Sequence, residues 1–359
     1  MSDQDLSAVR ARIDEIDRQI QALISERAGC AQEVARIKQA AGDSDFYRPE
    51  REAQVLRKVM ERNEGPLPAE EMARLIREIM SSCLALEQPL RVAYFGPAGS
   101  YTHAAALKHF GGSVNGVALA AIDEVFREVE AKAAQYGVVP VENSTEGIIT
   151  HTLDMFARSP LKICGEVDLR IHHNLLSRAP QAAAIRRVYG HPQALAQCRE
   201  WLTANLAHAE PVAVSNNAEG ARLAAEEEDA GAIAGAQAAD LYGLPVLVKN
   251  IEDEPDNTTR FLVVGHQSVA PSGRDKTSLL VSAPNRPGAL FSLLEPFARY
   301  GLSMSRIESR PSRRAMWDYV FFVDIEGHVK DEKVDMALKD LAEEATFFRV
   351  LGSYPRAVL

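Results

Sequence analysis

Along the first 88 residues, apolar and small side chains recur at alternating steps of three and four: Leu6, Val9, Ile13, Ile16, Ile20, Leu23, then Cys30, Val34 and Ile37. This is a heptad seam. It predicts one helix over about residues 5–39, roughly 50 Å long at 1.5 Å per residue. Arg27 fills the slot between Leu23 and Cys30 and interrupts the seam. Two shorter helices are predicted after it. One follows Pro49 and carries Val55, Leu56 and Val59; the other carries Met72, Leu75, Ile76, Ile79, Cys83 and Leu86. They are too short to cover the first helix, so a partner subunit is expected on the rest of its seam.

Beyond Pro89 the period changes. Residues 92–95 read as a buried strand, followed by a turn at Gly96, Pro97 and Gly99 and a helix opened by Ser100, Tyr101 and Thr102. "YGVVPVENSTEG", "RVYGHPQALAQCREWL", "AVSNNAEGARLAA" and "AGAIAGAQAADLYG" repeat the strand–turn–helix pattern. This predicts an α/β region of two lobes, with strand ends and helix N-termini meeting at a cleft. After the polar linker "QSVAPSGRDK", the chain reads strand, helix, strand, strand, helix, strand to its end. That order is a ferredoxin-like βαββαβ unit, with Trp317, Tyr319, Phe321 and Val323 on one side of its third strand. The expected domains are 1–89, 90–267 and 276–355.

Composition narrows the class. The chain has 359 residues, 46% hydrophobic and 25% charged, with a net charge of -10. An acidic balance argues against nucleic acid as the main partner, and no apolar run approaches the ~20 residues of a membrane span. The N-terminus lacks a signal peptide's apolar stretch. The four cysteines have no C-x-x-C spacing and read as reduced thiols, so the expected compartment is the cytoplasm.

Candidate chemistry lies in all three segments. In the first, Arg27 is either a register device or part of an anion site inside the bundle. Lys38, eleven residues on, shares its face, which favours the anion. Arg10 lies about 100° around the helix from Arg27 and would reach a partner's site instead. Arg48, Arg51 and Glu52 open the second helix, and Glu87 follows Cys83 by four residues. Its apolar surroundings are expected to raise its pKa and make it a hydrogen-bond donor.

In the second segment, the Gly-rich turn before Ser100 is either an ordinary strand-to-helix turn or an anion site for a carboxylate. Asn143, Ser144 and Thr145 are favoured helix caps. Gln193 and Gln197 lie one turn apart, and His172 and His173 read as structural histidines. "DNTTRF" places Thr258, Thr259 and Arg260 at a strand start, where alternation sends the two threonines to opposite faces.

The first segment resembles the all-helical chorismate mutases, in which two chains intertwine. The resemblance implies substrate-carboxylate contacts at Arg10 (from the partner), Arg27 and Arg51, with Lys38 and Glu87 at the ether oxygen and Glu52 at the substrate hydroxyl. Arg48 stands where relatives often carry Asp, and Cys83 where a small hydroxyl is common. "GPAGSYTHAAA", "GVVPVENSTEG", "HPQALAQC" and "NTTRFLVV" resemble prephenate dehydratases, two-lobed like periplasmic binding proteins. The resemblance implies Thr259 as general acid, with Asn143, Gln197, Ser144, Ser100, Thr102 and Arg260 around the substrate. Gly190 stands where that family commonly has Ser, and Gly190→Ser is expected to leave dehydration equal or faster. "NRPGALFSLL" and "IESRPS" resemble the ACT domain, which implies a phenylalanine pocket at Gly288, Ala289, Leu290, Glu308, Ser309, Arg310 and Pro311.

Together these imply a bifunctional enzyme that converts chorismate to prephenate and prephenate to phenylpyruvate. It would need no metal, nicotinamide or pyridoxal, would be inhibited by phenylalanine, and would form a homodimer or larger homo-oligomer. The alternatives are a dehydratase whose helical domain serves only dimerisation, and a non-catalytic small-molecule sensor.

Overall fold

The computed structural model describes residues 3–42, 47–283, 286–311 and 319–359. Trp317 lies outside them. The first segment folds as α1 (Asp3–Ala40), α2 (Pro49–Glu61) and α3 (Ala69–Glu87). Pro49 sits at the start of α2, where its missing N–H costs nothing. Leu56, Val59 and Ala73 form a small core between α2 and α3. On α1 the seam is left open: Leu6, Val9, Ile13, Ile16, Ile20 and Leu23 are 39% to 63% exposed.

The second segment has two sheets. The first lobe contains β1 (Arg91–Phe95), α4 (Tyr101–Phe110), β2 (Asn115–Leu119), α5 (Ile122–Glu130), β3 (Tyr136–Asn143), β4 (Gly147–Ile148), α6 (Thr150–Arg158) and β5 (Lys162–Arg170). The second contains β6 (Asn174–Ser177), β7 (Arg187–Gly190), α7 (Pro192–Gln197), α8 (Arg199–Asn205), β8 (Glu210–Ala213), α9 (Asn217–Ala225), β9 (Ala230–Ala234), α10 (Ala236–Tyr242) and β10 (Val246–Val248). The chain then returns through β11 (Thr258–Gly265). β11 inserts between β3 and β5, giving the order β2-β1-β3-β11-β5, while the second sheet runs β10-β6-β9-β7-β8. Two crossings therefore join the lobes, one leaving β5 and one entering β11, and the cleft lies between them.

The last segment is β12 (Asp275–Ser282), α11 (Ala289–Arg299), β13 (Met304–Pro311), β14 (Tyr319–Glu326), α12 (Glu332–Glu344) and β15 (Phe347–Pro355), in an antiparallel sheet ordered β13-β14-β12-β15. One face is covered by α11 and α12. The other packs on the first lobe, where Leu280, Phe322, Leu351 and Tyr354 join Val139, Val141, Ile163 and Leu262 in one core. With both faces covered, residues 322–325 are buried in succession, so the alternation expected from the sequence is masked there. Gly352 permits the close approach: a Cβ there would collide with the Ile163 carbonyl and lie 2.8 Å from its nitrogen.

Candidate active sites

The cleft holds a cavity of about 650 Å³ lined by both lobes. Thr259, Asn143, Gln197, Ser100 and Thr102 all line it, as expected. Thr259 and Asn143 are register partners on β11 and β3. The Asn143 amide orientation is set by its backbone surroundings. Its Oδ1 accepts from Thr145 N and Glu146 N, each at 3.0 Å, so Nδ2 must face the other way. Nδ2 donates to Asn257 Oδ1 at 2.7 Å and to Thr259 Oγ1 at 2.8 Å. Asn257 Nδ2 in turn donates to Gln197 Oε1 at 3.2 Å. His173 Nε2 lies 2.9 Å from that same oxygen, which can only accept, so His173 carries its proton on Nε2. Burial holds the His173 pKa below the usual imidazole value, and its Nδ1 lies 2.8 Å from the Tyr101 hydroxyl.

Two expected residues are elsewhere. Ser144 is exposed; its Oγ accepts from Thr258 N at 2.9 Å and closes the loop before β11. Arg260 points to the opposite face of β11, where Arg260 Nη1 lies 2.6 Å from Asp324 Oδ2 and Nη2 lies 2.9 Å from Glu166 Oε2. The period of two explains it: if Thr259 faces the cleft, Arg260 cannot. Burial pulls the Arg260 pKa down, but Tyr354, Asp324 and Glu166 together leave it raised.

Among the described residues, neither Lys nor Arg lines the cavity. In their place stand helix N-termini. Ser100 caps α4, accepting from His103 N, and Gly96 and Gly99 make the preceding turn with φ of 94° and 84°. Asn216 caps α9 and lines the cavity with Asn217. Asn257 and Asn216 had no assigned role in the sequence reading, and His173 was read as structural. A signal existed for Asn257, two residues before Thr259 and so on its side of the chain. For His173 there was none, since its partners lie far away in sequence. Gly190 does not face the cavity: a Cβ there would lie 3.2 Å from Leu195 Cγ and 3.6 Å from Ile233 Cβ. A serine hydroxyl there would enter the lobe's core, contrary to the expectation of equal or faster dehydration.

In the helical segment, Arg27 and Lys38 both act electrostatically on Glu87, but burial outweighs them and raises its pKa. Arg10, Arg48 and Arg51 are exposed and Cys83 is buried. Glu52 departs from expectation. Its side chain is only 12% exposed and pairs with Arg77 at 3.2 Å, and Arg77 also donates to the Lys108 carbonyl at 2.6 Å. Glu52 is thus turned to the junction with α4, where burial demands a counter-charge.

In the last sheet, Gly288 has a φ of 79° and caps α11, a conformation that favours glycine. The register through β14 puts Pro311 level with Tyr319, and Ser282 level with Val320. Glu308, Ser309 and Pro311 thus lie on β13, one strand removed from β12, whose end precedes Gly288, Ala289 and Leu290 in the chain. Arg310 is committed elsewhere, donating to Asp154 on α6 at 2.9 Å.

Comparison with known proteins agrees with these three segments. Residues 9–88 match the chorismate mutase type II family, residues 92–269 the prephenate dehydratase family and residues 277–343 the ACT domain. The bifunctional chorismate mutase/prephenate dehydratase of Stutzerimonas stutzeri is 58% identical over 100% of both chains. That of Pseudomonas aeruginosa is 56% identical, again over 100% of both. A crystal structure of prephenate dehydratase from Arthrobacter aurescens, in complex with L-Phe, is 35% identical, with a TM-score of 0.69 over 75% of this chain and 90% of that one.

Proposed function

The chain belongs to the bifunctional chorismate mutases/prephenate dehydratases, and from that premise we propose how its side chains divide the work. It rearranges chorismate to prephenate and then converts prephenate to phenylpyruvate, carbon dioxide and water.

For dehydration, the carrying observation is the order of hydrogen bonds around Thr259. Its oxygen accepts from Asn143 Nδ2, so its own proton is left to donate into the cavity. In our reading Thr259 protonates the departing ring hydroxyl. As the carbon–oxygen bond breaks, the ring carboxylate leaves as carbon dioxide and its electron pair completes the aromatic ring. A hydroxyl is far weaker than the acid that proton transfer at neutral pH favours; aromatisation supplies the drive. The ring carboxylate loses its charge on leaving, which the apolar lining by Phe95, Leu119 and Phe261 favours. The substrate's carboxylates are assigned to the N-termini of α4, at Ser100 and Thr102, and of α9, at Asn217, where backbone N–H groups and the helix dipole replace a cation. Gln197 and Asn257 hold the Asn143 amide in place.

Asn143→Asp tests this reading. A carboxylate would accept from Thr259, turning the acid proton away from substrate, and dehydratase kcat should fall roughly 100-fold, the cost of losing one well-aimed group. An unchanged rate would mean the proton comes from elsewhere.

For the rearrangement, we assign Arg27 and Lys38 to the substrate's carboxylate and ether oxygen, with protonated Glu87 opposite. Arg51 and Arg48 stand at the mouth, and Arg10 comes from a second copy whose helix covers the open α1 seam. No nucleophile is needed; the reaction is held by positioning and charge stabilisation. For regulation, phenylalanine is assigned to Gly288, Ala289, Leu290, Glu308, Ser309 and Pro311, with binding and substrate affinity reciprocally linked. Calorimetric titration should detect phenylalanine binding and a matching loss of dehydratase rate. Among the described residues the four cysteines form no disulfide, and three of them are buried.

A further inference from the structure

Alternation divides β3 and β11 into a cleft face and a back face. Asn143 and Thr259 are register partners on the cleft face; Glu142 and Arg260, their chain neighbours, are register partners too and turn to the back. There both meet the C-terminal sheet. Arg260 Nη1 lies 2.6 Å from Asp324 on β14, Nη2 3.0 Å from the Tyr354 hydroxyl on β15, and Nε 3.0 Å from Glu166 on β5. Glu166 also receives Lys276 of β12 at 2.9 Å. Glu142 lies 3.3 Å from Arg306 of β13. Three cations and three carboxylates are thus brought together here, and among them Glu166 is 1% and Asp324 7% exposed. The β3–β11 pairing shifts register immediately beyond Arg260, an irregularity of the kind that re-aims a side chain beside a site.

We propose that Arg260 and Glu142 are positioning residues for dehydration: by anchoring the back of β11 and β3 to the C-terminal sheet, they fix how Thr259 and Asn143 face each other across the cleft. A guanidinium forked between two carboxylates and a phenol has one satisfactory orientation. The strand cannot slide or rotate without leaving a buried charge unpaired. A purely apolar contact would tolerate a shift that misdirects the Thr259 proton. The inference rests on Thr259 and Asn143 acting together as described above; it does not require that phenylalanine binds.

The test uses the full chain, because each preparation carries its own folding control. Dehydratase kcat and KM and the mutase rate are measured for Asp324→Asn, Arg260→Lys, Arg260→Gln and Glu142→Gln. Asp324→Asn should lower dehydratase kcat roughly tenfold or more, the scale of a sub-ångström misplacement. KM and the mutase rate should stay within about twofold. Arg260→Lys should retain more kcat than Arg260→Gln. If the mutase rate of Asp324→Asn collapses as well, that variant has not folded. Glu142→Gln, on a side chain 39% exposed, then decides, with the same selective fall in kcat expected. Wild-type kcat in a folded Asp324→Asn or in Glu142→Gln overturns the proposal, as does a change confined to KM. A failure of Thr259 itself is separable: Thr259→Ala would then keep its dehydratase rate.

Discussion

Thr259 is 8% exposed, and the acid role proposed for it depends on neighbours that direct its proton into the cleft. Asn143 supplies that constraint because backbone groups settle which end of its amide faces Thr259. In the mutase site proposed above, Glu87 takes the opposite part, a carboxyl that donates only in its protonated form. Burial raises its pKa against the pull of Lys38 and Arg27. The protonated form is the donor, so mutase kcat/KM should be full below that raised pKa and fall as pH rises through it. Glu87→Gln should flatten the profile, and a flat profile in the unmodified protein would contradict the role. Gly190→Ser presses a side chain against Leu195 and Ile233. It should lower the stability of the second lobe by about 1 kcal/mol, read by chemical denaturation, without a gain in rate. Much of this was legible in the sequence. Thr259 and Asn143 sit at strand ends and Gln197 at the last residue of α7, within motifs whose order and spacing single them out. Arg260 was expected around the substrate, although the same alternation that separates the two threonines sends it to the face away from Thr259. Glu52 was not legible: its partner Arg77 lies on another helix and the Lys108 carbonyl beyond that on α4, contacts that no local pattern encodes.

Among the elements, α1 and β15 carry the clearest consequences. The α1 seam was read directly from its heptads, and the structure leaves that stripe uncovered within one chain. Ile16→Glu would put a charge in the middle of it. It should weaken subunit association and cut mutase activity, for which Arg10 of a second copy is proposed above, while sparing dehydration; sedimentation at several concentrations would report the first effect. An Ile16→Glu chain that stays associated would mean α1 is covered some other way. On β15, Gly352 marks where the C-terminal sheet approaches β5 too closely for any side chain. Gly352→Ala should lower the unfolding free energy by about 1–3 kcal/mol and loosen the contact that anchors β11. The βαββαβ order was plain from hydrophobic patterning. That its free sheet face would pack on the first lobe was not, because alternation along β14 marks one apolar side and only the tertiary structure says what the other one meets.

At the scale of the whole molecule, three segments with different textures are joined by specific contacts rather than strung on linkers. The helical segment meets the first lobe through Arg77, and the C-terminal sheet grips the back of the strands that carry the cleft pair. An acidic chain binding dianionic substrates meets two anion problems in two ways. On the assignments proposed above, side-chain cations serve in the helical groove and helix N-termini in the cleft. Dehydratase KM should therefore depend less on ionic strength than mutase KM, since fixed dipoles in a partly enclosed cavity are screened less than exposed charges. The most direct test of the account follows one population of Thr259→Ala protein supplied with chorismate alone, with prephenate and phenylpyruvate quantified over time. The account predicts that chorismate disappears at the unmodified rate and prephenate accumulates, with no enzymic phenylpyruvate. Phenylpyruvate forming at the unmodified rate would contradict it.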